Sequence, residues 1–209
     1  KREEIFRQEG WNYHLEQKEG PLKYNGVVYN EMKGAFSSPD EVLEREIMNH
    51  LFPDTTYGCE SGGDPKNIPD LTYENFLNFH RTYYHPSNSY IYLYGNMDME
   101  EKLAFLDEHY LSHFDYLDVD SVIQEQKAFG ACRDVTLEYP VAENEGEEDN
   151  TYLSYNMVVG NAADSQMAMA FEVLDYALLS APGAPLKQAL LDVKAGKDVY
   201  GSDDDGILQ

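Results

Sequence analysis

Basic residues are scarce in this chain. Only 15 Lys and Arg stand against 39 Asp and Glu, giving a formal charge of −24 over 209 residues. Such an acidic chain repels phosphate groups, which excludes a nucleic-acid backbone as its partner. The charge would suit a cationic ligand such as a basic peptide. On composition alone, the simpler explanation is that the acidity keeps the protein soluble.

Cysteine and long apolar runs are also rare. Cys59 and Cys132 lie far apart and have the spacing of neither a zinc knuckle nor a redox pair. We expect free, buried thiols in a reducing compartment. No apolar run approaches the length that spans a bilayer, and no signal peptide is present. These absences favour a bacterial cytoplasm and no membrane partner.

The two ends of the sequence do not look like natural termini. The chain opens on Lys1 with no initiator Met, and it stops at Gln209 in what looks like the start of a strand. We therefore expect a piece excised from a longer protein.

What is present is sufficient for a packed core, with 42% hydrophobic residues and 17 Tyr. Trp11, the only tryptophan, is expected to anchor the polar segment 1–23 to that core. Hydrophobic periodicity and capping residues such as Thr72 and Asp164 predict the helices; period-two alternation predicts the strands. The predicted helices are 24–36, 39–51, 73–84, 98–114, 164–180 and 185–194, and the predicted strands are 89–95, 135–139 and 151–159. An acidic run at 142–150 is predicted to be an exposed loop.

Glu31 is the most informative polar residue. Helical spacing places it on one face with Val27, Val28 and Ala35. A carboxylate that faces a core is costly unless something cationic satisfies it. The pattern therefore leaves two interpretations open: an ordinary surface glutamate, or one ligand of a metal site completed by residues outside this sequence.

The histidines offer a weaker signal. His109 and His113 have the i, i+4 spacing by which a helix can bind zinc, but Tyr110 stands where a general-base Glu would be expected. We interpret them as two surface histidines on one helical face. His80 and His85, five residues apart across a helix end, are interpreted as hydrogen-bonded structural residues.

A series of sequence blocks stands in order along the chain: 26–37, 51–54, 56–57, 61–65, 68–69, 71–72 and 79–88, with a looser match at 151–159 and 183–190. Together these blocks resemble the presequence-protease branch (subfamily C) of the insulinase-like, pitrilysin-type zinc metallopeptidases of family M16. The Gly62–Gly63 pair within these blocks would allow the backbone to approach another group closely, and a tight turn is the predicted structure.

The resemblance implies a zinc-dependent endopeptidase that cleaves peptides inside a closing chamber, and the acidity would favour basic peptides. In this family two histidines of an inverted His-x-x-Glu-His motif and a later Glu hold the zinc. The helix that carries the later Glu matches residues 29–32, so the resemblance implies that Glu31 is the third zinc ligand. The sequence contains no His-x-x-Glu-His motif, so this piece is predicted to be inactive by itself. The alternative is a family member that has lost the motif and serves as a structural or substrate-presenting subunit.

The implied fold class is α+β, with helices packed on a mainly antiparallel sheet: part of one M16-type domain and the start of a second similar domain. Residues 1–118 would end the first domain, 119–132 would form a connector, and 133–209 would begin the second. The remaining domains of the same polypeptide would then be this chain's partners.

Overall fold

The structure is a computed structural model that describes residues 2–141, 146, 148, 150–194 and 196–209. It divides into two units, one comprising Lys1–Ser38 and Ser61–Val122, the other Pro39–Glu60 and Ile123–Gln209. Seven α-helices and one two-stranded antiparallel sheet lie in the described residues. The predicted acidic loop at 142–150 lies largely outside them.

The first unit contains four helices and the sheet. Its elements are α1 (Glu3–Glu9), β1 (Asn12–His14), β2 (Lys23–Asn25), α2 (Val27–Ala35), α4 (Tyr73–Tyr83) and α5 (Met99–His109). The second unit contains α3 (Pro39–Leu51), α6 (Ser165–Asp175), which continues as a π-helical turn Tyr176–Ser180, and α7 (Pro185–Asp192).

The core of the first unit is small and aromatic. Phe6, Trp11 and Ile68 are buried, and Tyr29 and Met32 of α2 pack against them. The indole Nε1 of Trp11 donates a hydrogen bond to the carbonyl oxygen of Leu71 at 2.8 Å. The prediction that Trp11 anchors the N-terminal segment is confirmed.

The only sheet in the described residues joins β1 and β2 in antiparallel register, with Tyr13 opposite Tyr24. This pairing was not predicted, because each strand has only three residues and is too short for alternation to be recognised. It also corrects one boundary. The sequence placed Tyr24 at the start of a helix, but Tyr24 belongs to β2 and the helix begins at Val27.

The second unit is held together around Phe52 and Gln126. Phe52 is buried and lies with its ring centroid 5.8 Å from that of Tyr57. The hydroxyl of Tyr57 accepts a hydrogen bond from the backbone N–H of Leu208 at 3.0 Å. Elsewhere in this unit, α6 begins at the predicted cap, where the Asp164 side chain accepts hydrogen bonds from two backbone N–H groups.

The predicted strands 89–95, 135–139 and 151–159 are wrong for the described part of the chain, which has no strand at these positions. Tyr90 and Tyr92 are exposed rather than half-buried. A strand exists only through ladder hydrogen bonds to a neighbour, and no described segment pairs with these three. Among the described residues, no helix is long and apolar enough to cross a membrane.

Candidate functional site

The helix that carries Glu31 begins without a side-chain cap. Its N-cap residue is Gly26, whose φ of 145° lies in the region that favours glycine. A carbonyl from outside the helix takes the place of a capping side chain: the oxygen of Gly10 accepts a hydrogen bond from the backbone N–H of Tyr29 at 3.2 Å. The start of α2 is thus fixed to the segment that follows α1.

One side of α2 is attached to the core. Tyr29 and Met32 pack against the buried cluster of Phe6, Trp11 and Ile68. The Gly62–Gly63 turn lies against the same side: a Cβ at Gly62 would be 2.3 Å from the sulfur of Met32. Gly62 lies in a turn, as predicted, and the group that it approaches closely is the Met32 side chain of α2.

Glu31 lies on the other side of α2 and is exposed. Its neighbours on that face, Val27 and Val28, are 52% and 37% exposed. The prediction that Glu31 faces the core is therefore wrong for this structure, because Tyr29 and Met32 form the buried side. The argument from the cost of a buried carboxylate does not apply here, and the Glu31 face is instead accessible to a ligand.

The described residues give Glu31 no partner that would complete a metal site. None of its neighbours there forms a hydrogen bond or ion pair with its carboxylate. No group of three or more His, Cys, Asp or Glu in this part of the chain is arranged to hold a metal ion. The chemistry of Glu31 fits one zinc ligand, and the described residues offer no others beside it.

The histidines do not form a site in the described residues. His109 ends α5, and His113 lies in a separate 3₁₀ turn, so the two do not share one helical face as predicted. Both are exposed, as expected. The Nδ1 of His85 accepts the backbone N–H of Ser87 at 3.2 Å, and the ring of His80 stacks on Tyr84 at 4.5 Å, which agrees with structural roles.

The two thiols are free, as expected, but both Cys59 and Cys132 are exposed. The prediction that they are buried is therefore wrong. Among the described residues 51–60, only Phe52 is buried. The loop that carries Cys59 therefore contributes little to a core.

Glu31 lines neither of two open clefts that the described residues form. One of about 370 Å³ lies in the first unit beside Arg7, Trp11, Tyr13 and Leu71. The other, of about 480 Å³, lies in the second unit at the start of α7 beside Lys187. The candidate ligand is thus on an open helix face rather than in either of these clefts.

Comparison of the sequence with known proteins identifies a family. Residues 70–208 match the model described as "Peptidase M16 inactive domain". Glu31 lies before the matched region.

Curated relatives match across nearly the whole chain. The chain is 53% identical over 209 residues to "Protein HypA" of Clostridium perfringens, covering 100% of this chain and 22% of that protein. It is 39% identical over 208 residues to "Presequence protease 1, chloroplastic/mitochondrial" of Arabidopsis thaliana, covering 98% and 19%. For "Presequence protease, mitochondrial" of Xenopus laevis the identity is 36% over 201 residues, covering 94% and 20%.

The chain spans about a fifth of the length of these relatives. The family match covers more than half of the chain, and the relatives agree with it. The chain therefore belongs to the insulinase-like M16 peptidase family, in its presequence-protease branch.

Proposed function

We propose that this chain is a segment of a zinc-dependent endopeptidase that hydrolyses peptides inside a closing chamber, and that Glu31 is one of the zinc ligands. The observation that carries the proposal is the placement of Glu31. It is exposed on one side of α2, while the opposite side is packed into the core through Tyr29 and Met32. A ligand needs this combination of an accessible carboxylate and a fixed backbone.

The remaining ligands would come from outside this chain. Two histidines and one carboxylate form a catalytic zinc site with a position left for water. Bound there, zinc would activate the water that attacks the peptide bond. Within this chain, the task of Glu31 is to present its carboxylate, and the segment by itself is inactive because one carboxylate cannot hold the metal.

The proposed architecture is α+β, with residues 1–118 ending one M16-type domain, 119–132 a connector, and 133–209 beginning a second. The alternating segments 89–95 and 151–159 would then pair with strands of the remaining domains. Their exposed aromatic side chains, such as that of Tyr90, support this proposal.

Peptides are the proposed substrates, since a closing chamber excludes folded proteins. The formal charge of −24 favours basic peptides. If attraction is electrostatic, raising the salt concentration must weaken it, because salt screens exposed charges. An unchanged kcat/KM for basic peptides at high salt would exclude this explanation of substrate choice.

The proposal is tested on the full-length polypeptide. Glu31→Gln should reduce zinc affinity by more than the roughly 10–100-fold that outer-shell changes cost. The matched control is Glu44→Gln, another exposed helical glutamate. Zinc affinity is measured by competition with a chelator. Equal affinities in both variants would rule out Glu31 as a ligand.

Two observations favour a second candidate, a non-catalytic structural or substrate-presenting subunit. The matching family model is described as an inactive domain, and no His-x-x-Glu-His motif occurs in the sequence. The zinc content of the full-length polypeptide separates the two. One zinc per chain supports the peptidase, and its absence after loading supports the subunit.

A further inference from the structure

The contact between Gly10 and Gly26 brings two backbones unusually close. A Cβ at Gly26 would lie 2.3 Å from the carbonyl oxygen of Gly10 and 2.7 Å from the Cα of Trp11. Both are backbone atoms, which cannot move aside as the end of a flexible side chain can. The φ of 145° at Gly26 adds a second requirement for glycine.

The same carbonyl also caps α2. The first N–H groups of a helix have no partner within it, and Gly26 has no side chain that could accept from them. The Gly10 oxygen accepts from the N–H of Tyr29. The Gly10 carbonyl therefore sets how close the start of α2 lies to the segment after α1. It also determines that the N–H of Tyr29 has a hydrogen-bond acceptor.

The Gly10 side of this contact is itself held in place. The N–H of Gly10 donates to the carbonyl of Phe6 at 2.8 Å, which ends α1. The next residue, Trp11, is buried and its Nε1 is bonded to the Leu71 carbonyl. The surface against which α2 starts is thus tied to the core and to the segment before α4.

We infer that the Gly10–Gly26 contact positions Glu31, and that Gly26 is a positioning residue for the zinc site. Glu31 follows Gly26 by five residues, about 7.5 Å along a helix. No described residue orients the Glu31 carboxylate through a hydrogen bond or ion pair. Within this chain, its position therefore depends on where α2 begins and how α2 is rotated.

A small displacement of Glu31 would be enough to weaken zinc binding. Metal–ligand distances are held to within about 0.2 Å. A side chain at Gly26 must displace the start of α2 from Gly10, and Glu31 moves with the helix. This inference rests on the proposed function, since it concerns the same ligand.

The test uses Gly26→Ala in the full-length polypeptide. The expected result is a zinc dissociation constant raised about 10–100-fold, the size of other outer-shell effects, with faster amide hydrogen exchange across residues 27–35. In the zinc-saturated enzyme kcat should fall while KM changes little, because peptide-binding surfaces outside α2 are untouched.

Two glycine controls separate positioning from loss of stability. A Cβ at Gly58 would meet the carbonyl of Phe52 at 2.3 Å, a similar clash outside the unit that holds α2. Gly34 lies in α2 itself, with nothing within 4 Å of a Cβ. Gly58→Ala should lower the melting temperature and Gly34→Ala should not, and both should keep the zinc dissociation constant of the parent.

The outcomes are distinct. An unchanged zinc affinity in folded Gly26→Ala, or an equal loss in Gly58→Ala, would overturn the inference. If Gly26→Ala does not fold, Trp11→Phe replaces it, because it removes the hydrogen bond that holds the Gly10 side; unchanged zinc affinity and unchanged exchange in α2 would then overturn it. If Glu31→Gln keeps full zinc affinity, the proposed function fails whatever Gly26 shows.

Discussion

Gln126 is joined to Asp54, 72 residues earlier in the chain, by two hydrogen bonds. Its Oε1 accepts the Asp54 backbone N–H at 2.9 Å, and its Nε2 donates to the Asp54 carboxylate at 2.7 Å. Gln126 is only 7% exposed and is the one buried polar residue in the described part of the chain. This pair connects the end of the α3 segment to the long segment before α6.

We predict that Gln126→Ala destabilises the chain, because the Asp54 backbone N–H and carboxylate lose their part-buried hydrogen bonds to the Gln126 side chain. The expected cost is about 1–3 kcal/mol in the free energy of unfolding. Denaturant titration measures it. Gln188→Ala is the control, since Gln188 makes an exposed bond to Asp192 within α7, and its cost should stay within about 0.5 kcal/mol. Equal losses of unfolding free energy in the two variants would show that the Gln126–Asp54 pair stabilises the fold no more than an exposed side-chain hydrogen bond does.

The start of α4 gives a second prediction. The Thr72 hydroxyl accepts the backbone N–H of Asn75 at 3.1 Å, and the Asn75 side chain accepts the N–H of Thr72 at 3.0 Å. Thr72→Ala should cost about 1 kcal/mol, the usual effect of losing an N-cap. Thr82→Ala serves as control because its hydroxyl bonds a helix-interior carbonyl of the same helix. If both variants unfold at the same denaturant concentration, the cap does not stabilise α4.

The contrast between these two contacts shows what the sequence could predict. Thr72 could be predicted as a cap because an N-cap residue stands directly before the helix that it begins. The partner of Gln126 is 72 residues away, and that of Trp11 is 60. Local patterns predict helices and their ends, but they do not pair residues at such separations.

The candidate site could be predicted only in part, because local patterns do not show which contacts form between distant residues. Periodicity correctly placed Glu31 in a helix with Val27 and Val28 on the same face. It could not decide whether that face or the one with Tyr29 and Met32 meets the core, because both carry apolar side chains. The Gly10–Gly26 contact left no pattern in the sequence beyond the two glycines themselves.

The cross-strand pair Tyr13 and Tyr24 predicts a pH effect. Their ring centroids lie 5.5 Å apart. The charge of Tyr13 and the hydrogen bond between the two tyrosine side chains favour the protonated form of Tyr24, and so raise the pKa of Tyr24 above its ordinary value. Tyr13→Phe should lower the pKa of Tyr24, as followed by NMR of ring-labelled tyrosine. Tyr116→Phe, at an exposed tyrosine outside the sheet, should leave it unchanged.

The sign of the matching stability change follows from linkage. A raised pKa in the folded state means that the unfolded chain loses its Tyr24 proton first, near the ordinary tyrosine value of about 10. The stability that the raised Tyr24 pKa gives to the folded chain is fully present below that pH. This stability is lost as the pH rises through the raised pKa. Tyr13→Phe should therefore make unfolding less sensitive to pH above about 10. A steeper dependence in the variant would contradict this account.

The isolated 209-residue chain should not bind zinc stoichiometrically at neutral pH. A stable site needs three or four ligands in fixed geometry, and the described residues offer Glu31 without a second ligand beside it. Equilibrium dialysis with zinc and metal analysis of the protein checks this. Any weak binding, for instance at the exposed His109 and His113, should be the same in Glu31→Gln. Tight binding of one zinc that disappears in Glu31→Gln would mean that this chain completes a site around Glu31 by itself. The proposal that the other ligands come from outside the chain would then be wrong.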